Sequence, residues 1–172
     1  VEENGRLVQA ARDAALGRLC EAASLCTTAH ITRAKDVYDV MGDPTEVAVL
    51  VAAAKAGVTK EALLQQYTVI GENPFDAARK RMSVTVSGPG GVRLLCKGAP
   101  DMLLARCTHI ETPAGPRLLA PRDRADINAA CARMAGEALR VLVLATRTVA
   151  SLDESQFETR LCFIGMAGMI DP

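Results

Sequence analysis

Residues 73–104 read NPFDAARKRMSVTVSGPGGVRLLCKGAPDMLL. Arg81-Met82-Ser83-Val84-Thr85-Val86 and Val92-Arg93-Leu94-Leu95-Cys96 mix polar and apolar positions and are rich in β-branched or aliphatic residues. Two such runs separated by a short glycine-rich linker predict a β-hairpin. Gly88, Gly90 and Gly91 give that linker the positive backbone angles a tight reversal needs. The hairpin sets the start of its first strand beside the end of its second, so Lys80 and Arg81 are expected across from Lys97. Cations gathered at one end of a sheet repel one another unless an anion sits among them. The fold-defining stretch therefore also points to an anionic ligand.

The bulk properties narrow the field. The chain has 172 residues, enough for one domain with a sizeable core, and residues 1–172 are read as a single unit. Hydrophobic residues make up 49% and mean hydropathy is +0.14, a globular rather than disordered composition. No apolar run approaches the ~20 residues of a membrane span, and the first residues, VEENGRLVQ, lack the pattern of a signal peptide. The formal net charge of +0 disfavours general nucleic-acid binding, which draws on a basic surplus. Six cysteines occur without a C-x-x-C pair, and His30 and His109 stand apart from them. That spacing argues against zinc and for thiols that fill the core in a reducing compartment.

Along the chain, residues 5–28 show apolar residues at helical spacing. Residues 28–41 read as a polar surface loop. In Gly42-Asp43-Pro44-Thr45-Glu46, Asp43 suits an N-cap, Pro44 the first helical position and Glu46 the third. That helix stops near Gly57, and a short one follows over 59–66 with Thr59 as cap. A strand is expected at 67–71, then a turn at Asn73-Pro74-Phe75-Asp76 and the hairpin. Pro100 and Asp101 open a helix ending near Cys107. A second hairpin brackets Pro113-Ala114-Gly115-Pro116, an amphipathic helix covers 121–138, and apolar strands cover 140–149 and 161–170 around a loop at 151–158. Hairpins mixed with helices, without strict βαβ alternation, predict an α+β fold with a twisted, mainly antiparallel sheet flanked by helices.

Few motifs carry chemistry. There is no G-x-x-x-x-G-K-[ST], no G-x-G-x-x-G and no defensible Ser/His/Asp arrangement. Phe75 is a large ring between polar residues in a chain with 3% aromatics, so it needs a core or a ligand. Lys97-Gly98-Ala99-Pro100-Asp101 puts an ammonium at a strand end beside a helix start, which suits a phosphate. A solvated turn lysine is the plain reading of that segment alone.

The order of segments adds more. Gly42-Asp43-Pro44-Thr45-Glu46, Asn73-Pro74-Phe75-Asp76 leading into Lys80-Arg81-Met82-Ser83, Lys97-Gly98-Ala99-Pro100-Asp101, Leu139-Arg140-Val141-Leu142, Gly165-Met166 and Ile170-Asp171-Pro172 follow in one sequence. This set resembles the nucleotide-binding (N) domain of P-type cation-transporting ATPases, most of all the type II group that includes the calcium pumps. The resemblance is clear from about Gly42 onward and looser before it.

The resemblance implies an ATP-binding domain, excised from a larger membrane pump, that lies on the cytoplasmic side. It would present the γ-phosphate to an aspartate in a phosphorylation domain absent from this chain, with a calcium-type ion as the expected cargo. The phosphorylation and actuator domains of the same parent chain would be its partners, and the isolated domain is expected to be monomeric. Nucleic acid is not expected as a partner. ATP would arrive as Mg-ATP, with magnesium held mainly by the phosphorylation domain.

By the same resemblance Phe75 stacks on adenine and Glu46 accepts from its amino group. Lys97 lies deep in the pocket with Gly98, Lys80, Met82 and Thr45 line it, and Arg140 reaches the phosphates. No catalytic residue and no metal ligand is expected here. Structural readings stand beside these: Glu46 as a capping-box acid, Met82 as core, Arg140 as a helix–strand junction. The rival at the level of function is a regulatory or scaffold module that kept the fold and lost the nucleotide. Two departures matter. Ala77 stands where calcium pumps of animal type carry an arginine, leaving open whether Arg79 replaces it, and the phosphorylation motif DKTGT does not occur.

Overall fold

The computed structural model describes residues 2–3, 6–7, 13–34, 37–150 and 158–170. The predicted hairpin is present in its main sheet. Strands β6 (Arg81–Gly88) and β7 (Gly91–Gly98) pair antiparallel from Arg81↔Gly98 through Met82↔Lys97 to Gly88↔Gly91. Gly90 and Gly91 take φ of +87° and +96°, the region the reversal requires. In chain order the other strands are β1 (Glu2–Glu3), β2 (Arg6–Leu7), β3 (His30–Ala34), β4 (Val37–Met41), β5 (Thr68–Asp76), β8 (Cys107–Ile110), β9 (Arg117–Leu118), β10 (Leu139–Thr148) and β11 (Leu161–Ile170). The helices are α1 (Ala14–Leu25), α2 (Pro44–Lys55), α3 (Lys60–Leu64), α4 (Pro100–Leu104) and α5 (Pro121–Gly136).

Seven strands form one sheet in the order β5-β6-β7-β10-β11-β8-β9. All neighbours in it run antiparallel except β11 and β8. This is the expected α+β architecture. Successive side chains of a strand point to opposite faces, and each face builds its own core. One core packs Met82, Val84, Val86, Leu95 and Leu144 against α1 and Val49 of α2. The other packs Leu94, Cys96, Val143, Ala145 and Phe163 against α4 and α5. All six cysteines are free and buried, as core filler should be.

Several boundaries differ from the sequence reading. The first helix begins at Ala14 because Asp13 caps it, its Oδ1 accepting from the N–H groups of Ala15 and Leu16 at 2.9 and 3.0 Å. Arg6 and Leu7 belong to a strand instead, and residues 8–12 of the expected helix lie outside the described residues. The expected loop at 28–41 is the hairpin β3–β4, paired from His30↔Met41 to Ala34↔Val37. Ile31, Thr32, Val37, Tyr38 and Val40 are strand-forming residue types, but the polar and charged residues among them give the segment a loop-like composition. Strand β5 runs past Gly71 to Asp76 and absorbs the predicted turn. It is an edge strand, where a proline costs no ladder hydrogen bond, and register shifts at Val69/Gly71 and Asn73/Asp76 accommodate it. Helix α4 ends at Leu104, and Cys107 opens β8. Residues 151–157 of the predicted loop are outside the described residues.

Candidate functional site

Lys97 stands next to last in β7, opposite Met82 on one side and Leu144 on the other. Its Nζ donates to Glu46 Oε1 at 2.6 Å, and the two side chains are only 8% and 12% exposed. Asp43 caps α2 through the Thr45 N–H and Pro44 occupies its first position, so Glu46 lies in the first turn as predicted. Its carboxylate closes no capping box. Oε2 accepts instead from Thr27 Oγ1 (3.0 Å), Thr28 N (3.0 Å), Thr28 Oγ1 (2.7 Å) and Ala29 N (3.0 Å). Burial pushes the Glu46 carboxyl up, but the Lys97 ammonium and the two threonine hydroxyls outweigh it and hold its pKa at about 2. The group is therefore a fixed anion that only accepts hydrogen bonds.

Phe75 is 64% exposed on the edge strand. Between the pairs Asn73↔Ser83 and Asp76↔Arg81, Pro74 and Phe75 together oppose Met82 alone. Met82, 1% exposed, pairs with Lys97. Phe75, Met82 and Lys97 thus form a row across three strands, with Phe75 two spacings, ~10 Å, from Lys97. Gly98 has a packing reason for being glycine: a Cβ there would lie 2.6 Å from Arg81 Cβ and 2.7 Å from the Lys80 carbonyl oxygen. The close approach is fixed by the Ala99 N–H donating to that carbonyl at 3.0 Å.

The expected cluster of unpaired cations does not form. Arg81 neighbours Met82 in the strand and so faces the opposite side of the sheet from Lys97. There Glu158 receives Arg81 Nε (2.6 Å), Arg79 Nη1 (2.6 Å) and the Ser83 hydroxyl (3.0 Å). Lys80, in the turn before β6 at φ +50°, lies 3.8 Å from Asp101. Each cation has a carboxylate of this chain, so the anion inferred from their crowding is supplied internally. Arg79 also donates to the Pro74 carbonyl at 2.8 Å.

Arg140 and Thr45 meet elsewhere. Arg140 Nη1 donates to Thr45 Oγ1 at 3.0 Å, across an open groove of ≈ 400 Å³ lined by Val40, Val47, Met169 and Ile170 among others. Phe75, Lys80 and Lys97 do not line it. Two sub-sites therefore emerge: the row from Phe75 to Lys97 with Glu46 behind it, and the Thr45–Arg140 groove. Glu46 and Thr45, adjacent on α2, connect them.

Sequence reasoning missed Thr27, Thr28, Lys60 and Glu158. The threonine pair follows a helix, where polar residues are ordinary, and nothing local marks it as a carboxylate cradle. Lys60 Nζ donates to the carbonyls of Thr27 (2.9 Å) and Ala29 (3.0 Å), a contact between distant segments. Among the described residues no cluster of three or more His, Cys, Asp or Glu side chains could hold a metal ion, and no helix is long and apolar enough to cross a membrane.

The family model for the P-type ATPase cytoplasmic domain N matches residues 15–172. The chain belongs to the P-type ATPase N-domain family. The N domain is 37% identical over 153 residues to a calcium-transporting ATPase of Bacillus subtilis, covering 87% of this chain and 17% of that protein. It is 41% identical over 133 residues to calcium-transporting ATPase 1 of Bacillus cereus, covering 76% and 15%. A sodium/potassium exporting P-type ATPase of Schizosaccharomyces pombe is 33% identical over 162 residues, covering 90% and 15%. The chain spans 15% to 17% of the length of these relatives.

Proposed function

We propose that this N domain binds ATP for a parent P-type cation-transporting ATPase and presents the γ-phosphate to an aspartate of the phosphorylation domain. The observation that carries the reading is the exposed Phe75 ring, in one row with Met82 and the Lys97–Glu46 pair. A purine stacked on Phe75 lies two strand spacings, ~10 Å along the sheet, from the strand that carries Lys97, and reaches from the edge towards the pair. Its exocyclic amine donates to Glu46 Oε1, since Oε2 already has four donors. Lys97 adds positive charge beside the sugar-phosphate and Lys80 sits at the rim, while Met82, 1% exposed, packs in the core beneath the row and supports it without facing the ligand. Gly98 takes part by keeping the strand end close to the Lys80 turn. Arg140 and Thr45 serve the phosphate end from their groove. Magnesium travels with ATP and is left to the phosphorylation domain, because no carboxylate cluster suited to it occurs among the described residues. The parent, with its actuator domain and membrane segments, would couple hydrolysis to cation transport through an aspartyl-phosphate. Calcium is the cargo favoured by the two bacillar relatives' names.

Titration of this chain with ATP, followed by amide chemical shifts, tests the reading. The expected result is a saturable shift at Glu46, Phe75, Met82 and Lys97. Shifts confined to the Thr45–Arg140 groove, or none at millimolar ATP, would overturn it.

A further inference from the structure

The contacts of Glu46 reach beyond the pocket into a second layer. The turn 27–29 is held from two sides. Its N–H groups and hydroxyls point to Glu46 Oε2, while the carbonyls of Thr27 and Ala29 point away and accept from Lys60 Nζ at 2.9 and 3.0 Å. Lys60 is the first residue of α3, whose own cap is Thr59, so the ammonium is delivered by an element anchored independently of α2. Thr27 is buried and Lys60 partly so, and burial lowers the Lys60 pKa although Glu46 opposes that. A lysine that spends both visible hydrogen bonds on two backbone carbonyls fixes their geometry rather than a ligand's.

We infer that Lys60 and Thr28 are positioning residues for base selection: they hold the turn 27–29 so that Glu46 keeps Oε2 saturated and offers only Oε1 to the base. This rests on the proposed contact between Glu46 and adenine. An ionised carboxylate accepts and cannot donate. It welcomes the 6-amino group of adenine and repels the 6-carbonyl of hypoxanthine or guanine, which is itself an acceptor. Discrimination needs the carboxylate to stay put. If it rotates, or if Oε2 is freed to attract water or a proton, an acceptor at position 6 can be accommodated and the penalty shrinks.

The test compares ATP with inosine triphosphate, which differs at position 6 by carbonyl for amine. Dissociation constants for both are measured by amide-shift titration on the wild-type chain and on Thr28→Val, Thr28→Ser and Lys60→Met. Thermal melting of each variant checks folding. The wild type should prefer ATP. Thr28→Val and Lys60→Met should each cut the ITP-to-ATP ratio of dissociation constants by ~3- to 10-fold, the range of one hydrogen bond. Thr28→Ser, which keeps the hydroxyl, should restore the wild-type ratio. A role confined to stability would weaken both nucleotides alike and leave the ratio unchanged, and that result would overturn the inference alone. A wild type that binds ATP and ITP equally, or neither, would overturn the Glu46–adenine contact and this inference with it.

Discussion

Glu46 is ionised far below neutral pH because five donors converge on its two oxygens, which outweighs the cost of burying it. Its folded pKa of about 2 lies below the ordinary 4.5. The stabilisation this produces is fully present above pH 4.5 and is lost as pH falls towards 2. Glu46→Gln leaves Lys97 buried without its counter-ion and should cost ~3 kcal/mol at pH 7. Urea unfolding at a series of pH values checks both points: the gap between wild type and variant should narrow between pH 4.5 and 2. A constant gap would mean the ion pair contributes nothing. Phe75 is the opposite kind of residue. Its ring is 64% exposed and buries little in the folded domain. Phe75→Ala should therefore leave the melting temperature nearly unchanged while weakening ATP, ADP and AMP alike by ~1–3 kcal/mol. A large drop in melting temperature with intact binding would reassign the ring to the core.

At the scale of elements, the β6–β7 hairpin controls the site through its backbone. Gly98 lets the end of β7 approach the Lys80–Arg81 segment closer than any side chain allows. Gly98→Ala must push apart backbone that the Ala99–Lys80 hydrogen bond holds together, so a loss of ~1–3 kcal/mol is expected. Calorimetry reads this directly, and an unchanged melting temperature would show that the strand end yields freely. The hairpin itself was legible from its two β-branched runs and the Gly-Pro-Gly-Gly linker, and α2 from Asp43 and Pro44, because those signals are local. The β3–β4 hairpin was not, since its pairing compensates a polar composition that reads as loop. Nor was the partner of each cation. Proximity of Lys80, Arg81 and Lys97 followed from the hairpin alone, but Glu46 and Glu158 come from segments 51 and 77 positions away from Lys97 and Arg81. Alternation across the strand sends Arg81 and Lys97 to opposite faces, so the hairpin alone does not gather these cations around one anion.

Over the whole molecule the two proposed sub-sites differ in how far they enclose a ligand. The row from Phe75 to Lys97 is built from strands in the centre and edge of one sheet, backed by α1 and α2. The Thr45–Arg140 groove is open, and no glycine-rich phosphate loop occurs in the sequence. Binding energy should then come mainly from one stacked base and a few charged contacts. That corresponds to dissociation constants of roughly 0.1 to several mM for ATP. Because no acidic cluster among the described residues suits a metal, magnesium should change that affinity little. The chemistry divides in the same way. A phosphoryl acceptor needs an activated nucleophile, and DKTGT does not occur in these 172 residues. Incubation with ATP labelled in the γ-phosphate should therefore leave no acid-stable label on this chain, while the same preparation shows saturable nucleotide shifts. Label retained after acid quench would mean that a carboxylate of this domain is itself phosphorylated, and the division between a nucleotide holder and a separate acceptor would fail.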